Sequence, residues 1–142
     1  MSSLNGHCLC GDLAFEVSGE SLQVVHCHCE SCRRTTSSPV TTFLIVRRTD
    51  FRYTRGVPKV YASSPGVRRS FCERCGSPMA YESDRRPDHV DLYVCTLADP
   101  AAVAPQTHVF VEEQVSWFEI LDDLPRYAKT PRDAEPIRRG PA

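Results

Sequence analysis

The chain has 142 residues, of which 41% are hydrophobic and 25% are charged, an ordinary composition for one globular domain with its own core. Its net charge of −1, from 17 basic and 18 acidic residues, argues against broad nucleic-acid or membrane binding. The longest apolar run is too short to span a bilayer, and the first residues do not have the pattern of a signal peptide. We therefore expect a cytoplasmic protein that binds neither nucleic acid nor membrane.

The sequence predicts strands rather than helices, because β-branched and aromatic residues form short runs bounded by turn residues. In chain order, strands are predicted at residues 13–17, 22–26, 41–46, 67–71, 79–81, 90–95 and 108–111. The eleven prolines interrupt most candidate helices, so helical turns are expected only at about residues 31–36 and 99–103. The predicted fold is mainly β, and residues 128–142 are expected to form a loosely ordered tail.

Seven of the eight cysteines fall into three tight clusters, whose short spacings suit metal binding better than separate disulfides. The clusters are Cys8-x-Cys10, Cys27-x-Cys29-x-x-Cys32 and Cys72-x-x-Cys75. Four thiolates complete a structural zinc site, whereas three thiolates leave one coordination position open for a ligand or for chemistry. The cysteine count therefore predicts two zinc ions, one structural and one labile.

The positions of the cysteines predict how they are divided between the two ions. Cys72 and Cys75 belong to a knuckle, a turn between two strands, in which Gly76 is free to adopt a positive φ. Cys8 and Cys10 would share one face of a strand, because side chains alternate with a period of two. We predict that these four cysteines bind the structural zinc. The second, open zinc site is assigned to the remaining trio, Cys27, Cys29 and Cys32.

The second site is predicted to be the reactive one. A zinc ion with three thiolates can accept a thiol and deprotonate it, so that its sulfur could attack an aldehyde carbon. His26 and His28 are candidate proton donors by position, although strand alternation would turn His28 away from the ligands. Arg33 and Arg34 follow the last ligand, and they are candidates either for holding a carboxylate of the thiol or for a solvated surface pair.

Other residues with reactive or aromatic side chains are assigned structural roles. Cys95 lies in an apolar stretch and is expected to be a small buried residue rather than an eighth ligand. Trp117 and Phe118 are expected in the core or in a lid. His108 is expected to be a structural histidine at the start of a strand, and Asp122 is expected to belong to a turn.

Three segments carry a family resemblance: residues 6–11 (GHCLCG), 27–34 (CHCESCRR) and 71–78 (FCERCGSP). Together with residues 108–118, they resemble the signatures of the glutathione-dependent formaldehyde-activating family, which includes centromere protein V. The resemblance covers a domain of about residues 5–127. It implies a tent-like, zinc-bound antiparallel β fold that carries the same two zinc sites.

The resemblance also implies an activity, that of a carbon–sulfur lyase which adds glutathione to formaldehyde to give S-hydroxymethylglutathione. Arg33 and Arg34 would then contact glutathione. One position departs from the family pattern, since Ser37 stands where relatives usually carry glycine after the arginine pair. If that position needs a positive φ, a serine there predicts altered local geometry beside the second zinc site.

Three functions are compatible with these observations. The first is a zinc-dependent lyase that adds glutathione or another small thiol to formaldehyde or a small aldehyde. The second is a non-catalytic carrier of glutathione or another thiol, which is a strong alternative because thiols add to formaldehyde readily without help. The third is a zinc-stabilised interaction module with a vestigial second site. We favour the enzyme, with a small thiol and an aldehyde as its partners, because the open site and the resemblance agree.

Overall fold

The computed structural model describes residues 3–131. These residues divide into two compact units, one made of residues 3–23 and 43–103 and the other of residues 24–42 and 104–131. Within this described part, no helix has the length and apolar character needed to cross a membrane.

The described residues form ten strands, one α-helix and four short 3₁₀ turns. The strands are β1 (Leu4–His7), β2 (Ala14–Val17), β3 (Gln23–Cys27), β4 (Thr41–Arg47), β5 (Phe51–Arg55), β6 (Lys59–Ser64), β7 (Val67–Phe71), β8 (Pro78–Ser83), β9 (His89–Tyr93) and β10 (Thr107–Val109). The helix is α1 (Glu30–Thr36), and the 3₁₀ turns are Arg48–Asp50, Val94–Thr96, Pro100–Ala102 and Val111–Glu113. The prediction of a mainly β fold is confirmed.

The first unit is built from antiparallel strands. Strands β1, β2 and β5 form a three-stranded sheet in that order. Strands β4, β9, β8, β7 and β6 pair in that order, with every pair antiparallel. Leu44 of β4 lies opposite Leu92 of β9, and Val46 lies opposite Val90. These four side chains are fully buried, so the pairing of β4 with β9 forms part of the core of this unit.

The second unit contains the parallel pair formed by β3 and β10, which departs from the expected antiparallel pairing. In this pair His26 lies opposite His108 and Cys27 lies opposite Val109. Helix α1 begins almost directly after β3. The strand and the helix therefore place the middle cysteine cluster where the chain changes direction.

The sequence did not predict three of the strands, β1, β5 and β6. Every residue of β6 is exposed, and β6 is an edge strand that pairs only with β7 among the described strands. Strand β5 carries two arginines that obscure its alternating aromatic residues, and β1 has a glycine at its third position. Strands that bury little surface have little apolar patterning, so sequence reasoning has no strong signal to detect there.

The predicted C-terminal tail is only partly within the structure. Its residues 132–142 lie outside the described residues. At its start, the carbonyl of Ala128 accepts a hydrogen bond from the amide of Glu112, and the carbonyl of Lys129 accepts one from the amide of Phe110. The backbone of these two residues is therefore held against the segment that follows β10.

Candidate metal centres

The first cluster brings together the sulfur atoms of four cysteines. The Sγ atoms of Cys8, Cys10, Cys72 and Cys75 lie within 4.8 Å of one another. The Sγ atom of Cys10 is 3.7 Å from that of Cys8 and 3.7 Å from that of Cys72. Sulfur ligands that surround a tetrahedral zinc ion at about 2.3 Å lie about 3.8 Å from one another. The four sulfurs could therefore hold one zinc ion.

Two similar turns present these sulfurs. In the first, the amide of Gly11 donates to the carbonyl of Cys8 at 3.2 Å. In the second, the amide of Gly76 donates to the carbonyl of Cys72 at 2.8 Å. Both glycines have a positive φ, +84° and +78°, a conformation that glycine adopts without steric penalty. Each glycine thus allows the chain to turn immediately after a cysteine.

Strand alternation does not explain the position of the first cysteine pair, and that part of the prediction is wrong. Strand β1 ends at His7, and the chain is already in the turn at Cys10. The sulfur of Cys8 is buried within this turn, where it accepts a hydrogen bond from the amide of Leu13 at 3.3 Å. The turn directs the sulfurs of Cys8 and Cys10 to the same side, a result that the sequence analysis attributed to alternation along a strand.

Ser77 connects the two turns, and the sequence analysis did not identify it. Its Oγ accepts a hydrogen bond from the amide of Leu9 at 3.0 Å and lies 3.2 Å from the Sγ of Cys75. Because the hydroxyl oxygen accepts from Leu9, its own proton is available to the sulfur. The hydroxyl and the amide of Ser77 lower the pKa of Cys75 to about 5, which favours the thiolate that binds a metal.

Cys10 of this cluster is harder to ionise in the absence of a cation. A hydrogen bond from the backbone of Asp12 lowers the pKa of Cys10. Desolvation and the neighbouring thiols raise it by more, so that it reaches about 12. A divalent cation among the sulfurs would offset the repulsion between thiolates. The donor set and its spacing therefore fit a zinc ion.

The second cluster lies where β3 ends and α1 begins. Cys27 is the last residue of β3, Cys29 is the N-cap of α1, and Cys32 is in the first turn of the helix. Their Sγ atoms lie within 4.8 Å of one another, with 3.8 Å between Cys27 and Cys32. The amide of Cys32 donates to the Sγ of Cys29 at 3.3 Å, so one sulfur both caps the helix and faces the cluster.

The members of this trio differ in exposure. Cys27 and Cys32 are only 5% and 4% exposed, whereas Cys29 is partly exposed. Hydrogen bonds with Cys29 and Cys32 raise the pKa of Cys27 well above its ordinary range, and burial adds to the effect. A cation between the three sulfurs would offset the repulsion between their thiolates. A zinc ion held by all three would keep one coordination position for another ligand.

Ser37 ends helix α1 in the left-handed conformation that glycine usually provides. Its φ is +54°, and its amide donates to the carbonyl of Arg33. The position therefore does require a positive φ, as the family pattern suggested. The expectation that serine would alter the local geometry is wrong, because the serine adopts the left-handed conformation at some steric cost.

The two arginines after the last cysteine have different surroundings. Arg34 is exposed and forms an ion pair with Glu30, one turn earlier in α1, at 3.1 Å. Arg33 is half-buried, and its Nε donates to the carbonyl of His28 at 3.4 Å. Arg34 therefore fits the alternative of a solvated surface residue. Arg33, by contrast, lies against the backbone of His28, between Cys27 and Cys29.

His28 is fully buried and belongs to a chain of polar side chains that sequence reasoning did not assemble. Its Nε2 is 2.8 Å from the Nδ1 of His108, and the Nε2 of His108 is 2.9 Å from a carboxylate oxygen of Asp122. Burial and the neighbouring histidines lower the pKa of His28 to about 4. The ring is therefore neutral near pH 7, which is unfavourable for the proton-donor role considered for it.

His26 faces a different partner. Its Nδ1 is 2.8 Å from the Oγ1 of Thr42, and its ring stacks on that of His108 with 4.8 Å between centroids. Burial and His108 lower the pKa of His26, and Asp122 partly opposes them. His26, His108 and Asp122 each offer a ligand atom within 4.8 Å of the others, which makes a third cluster.

Several structural expectations have mixed outcomes. Cys95 is exposed in a 3₁₀ turn, so the prediction of a buried strand residue is wrong. Trp117 is 74% exposed and does not belong to the core, whereas the ring of Phe118 lies 5.9 Å from that of His28. Asp122 does belong to a turn, because one of its carboxylate oxygens accepts a hydrogen bond from the amide two residues later.

Known proteins resemble this chain in sequence and in structure. The sequence model of a family described as glutathione-dependent formaldehyde-activating enzyme matches residues 3–113. A protein of Schizosaccharomyces pombe named as an uncharacterized lyase is 31% identical over 96 residues, which are 66% of this chain and 69% of that protein. A crystal structure of a Rhodobacter sphaeroides protein has a TM-score of 0.58 and 26% identity, and it covers 71% of this chain and 91% of that chain.

Proposed function

Because the chain belongs to the family of glutathione-dependent formaldehyde-activating enzymes, we propose that it is a lyase-type enzyme. It would add a small thiol, with glutathione as the first candidate, to formaldehyde or another small aldehyde. The observation that carries the proposal is the convergence of Cys27, Cys29 and Cys32, three sulfurs that suffice to hold a zinc ion but not to saturate it. The relative named as a lyase supports the reaction class.

The trio would hold the reactive zinc and define how ligands approach it. A zinc ion bound there supplies a coordination position at which a thiol loses its proton. Cys27 and Cys32 are buried, whereas Cys29 is partly exposed, so a thiol would reach the cluster from the side of Cys29. In the reaction the thiol sulfur bonds to the aldehyde carbon, the carbonyl π bond breaks, and the thiol proton passes to the carbonyl oxygen. No oxidant or reductant is needed.

The other cysteine cluster would have a structural role. Its sulfurs come from turns that are far apart in the sequence, with 62 positions between Cys10 and Cys72. A zinc ion shared by Cys8, Cys10, Cys72 and Cys75 would use all four coordination positions for protein ligands and would leave none for a substrate. This division into a closed and an open site supports one structural and one labile zinc ion.

Of the two arginines, Arg33 is the stronger candidate for a glutathione contact. It is half-buried next to the backbone of His28, whereas the charge of Arg34 is already paired with Glu30. An arginine fork binds a carboxylate with two parallel hydrogen bonds, which suits the carboxylates of glutathione. Arg33→Ala should therefore weaken glutathione binding by about 1–3 kcal/mol, and Arg34→Ala should weaken it less.

The proposal suits a small-molecule thiol and aldehyde in a reducing, cytoplasmic compartment. All eight cysteines are free in the structure, and a reducing compartment keeps thiols available to bind metal.

The decisive experiment measures glutathione binding and hemithioacetal formation by the zinc-loaded protein. The rate should rise in proportion to protein concentration and continue beyond one turnover, and both binding and rate should be lost in Cys29→Ser. Cys95→Ser is the matched control, because it changes an exposed cysteine outside the clusters. Binding of one equivalent without acceleration would refute the enzyme and favour a thiol carrier. Absence of binding by any small thiol or aldehyde would favour an interaction module.

A further inference from the structure

The second unit contains a side-chain cluster that the proposed reaction does not use. His26 and His108 lie opposite each other on the parallel strands β3 and β10, and Asp122 reaches them from a later turn. One ligand atom from each residue lies within 4.8 Å of the other two. His108 is buried, His26 is half-buried and Asp122 is exposed, so the cluster extends from the interior to the solvent.

Hydrogen bonds to residues outside the cluster already occupy the Nδ1 atom of each imidazole. The Nδ1 of His26 is 2.8 Å from the Oγ1 of Thr42, and the Nδ1 of His108 is 2.8 Å from the Nε2 of His28. The Nε2 atom of His26 therefore remains as its ligand atom, and the Nε2 atom of His108 faces the carboxylate of Asp122 at 2.9 Å. Histidines that bind metals typically use one nitrogen for the ion and the other for such an outer hydrogen bond.

We propose that His26, His108 and Asp122 form a third metal site, which binds a divalent first-row transition-metal ion. Two imidazoles and one carboxylate are a ligand set that such ions accept, and they contain no sulfur. The site is therefore chemically distinct from both cysteine clusters. Three protein ligands leave at least one coordination position for water or another ligand on the exposed side, next to Asp122.

The proposal makes a specific statement about the proton positions. Without a metal, the Nε2–H of His108 donates to Asp122, and the Nδ1 of His108 accepts from the Nε2–H of His28. With a metal on its Nε2, His108 carries its proton on Nδ1 and donates it to the Nε2 of His28. Metal binding therefore replaces the proton between His108 and Asp122 and moves the proton of His28 from Nε2 to Nδ1.

The test is a zinc titration of the full chain whose two cysteine clusters are already loaded. The parent should bind a third equivalent of zinc, and Asp122→Asn should bind it at least about 100-fold more weakly, since even outer-sphere partners contribute about 10–100-fold. Asn still accepts the turn hydrogen bond at this position, so the fold is retained. Asp123→Asn is the charge-matched control and should bind like the parent.

Two further variants separate this site from the trio. Cys29→Ser should lose the second zinc but keep the third. Thr42→Val, which removes the outer partner of His26, should weaken the third zinc by about 10–100-fold without affecting the cysteine sites. Nitrogen-15 NMR of the histidine rings should show the tautomer change of His28 as zinc is added.

The proposal is overturned if the parent binds only two equivalents, or if Asp122→Asn and the parent bind a third equivalent equally well. It is also overturned if the third equivalent is lost in Cys29→Ser, since the ion would then belong to the trio. Should Asp122→Asn fail to fold, His26→Gln provides the same comparison, because glutamine can retain the contact with Thr42.

Discussion

Replacing Cys72 with serine should destabilise this protein far more than replacing Cys29. Cys72 is 2% exposed, and its sulfur lies 3.7 Å from that of Cys10, 62 positions earlier. A zinc ion that joins two residues so far apart removes about 4 kcal/mol of chain entropy from the unfolded state in the simplest cross-link estimate. The whole zinc-binding free energy of small domains is on the order of 10 kcal/mol, comparable with the total stability of a domain. Cys72→Ser should therefore be unfolded or insoluble.

Cys29→Ser is the matched substitution, since it removes one sulfur from the other cluster. Cys27 and Cys32 are only 5 positions apart, so a metal that joins them contributes about 2 kcal/mol less loop-closure entropy than the 62-residue link. Serine is also a preferred N-cap, so α1 keeps its first hydrogen bond. Urea denaturation followed by circular dichroism, with zinc present, should show a cooperative unfolding transition for Cys29→Ser, at a midpoint lowered only by the loss of this smaller contribution. Equal midpoints for Cys72→Ser and the parent would refute the structural assignment.

Two smaller perturbations test Ser77, which lies beside the first cluster, and Ser37, which ends helix α1. Ser77→Ala should lower zinc affinity at the first cluster by about 10–100-fold, because it removes the hydroxyl beside Cys75, whereas Ser77→Thr should retain it. Competition with a fluorescent zinc chelator measures this, and equal affinities for Ala and Thr would contradict it. Ser37→Gly should raise the free energy of unfolding by up to about 1 kcal/mol, because glycine adopts the observed left-handed φ without strain. Ser37→Ala should show no such gain in denaturant titrations, and a loss of stability in the glycine variant would contradict the argument.

Much of the fold could be predicted where a strand buries one or both faces. The runs that became β4 and β9 are rich in β-branched and aliphatic residues, and in the structure Leu44 and Val46 of β4 are fully buried against β9. Strand β6, by contrast, is exposed at every position and left no such pattern. Periodic apolar residues report burial rather than hydrogen bonding, so exposed strands escape prediction from sequence.

The short spacings of the cysteines determined the candidate metal sites by themselves, because a few residues of chain can present sulfurs only to nearby space. Cys27, Cys29 and Cys32 had to converge, and the structure adds that a strand end and a helix cap hold them. Which distant pair joins Cys72 and Cys75 was an inference from ligand count. The structure brings the sulfurs of Cys8 and Cys10 to them, through a turn rather than a strand.

Only the tertiary structure could assemble the polar cluster of the second unit. His26 and His28 are 82 and 80 positions from His108, and Asp122 is a further 14 positions away, so local spacing carries no information about their contact. Parallel pairing of β3 with β10 places His26 opposite His108, and the turn at Asp122 completes the set. The sequence alone determines sites built from residues that are close together in the chain, such as the trio of Cys27, Cys29 and Cys32. Contacts between distant residues depend on strand pairing, and strand pairing results from the packing of the whole chain.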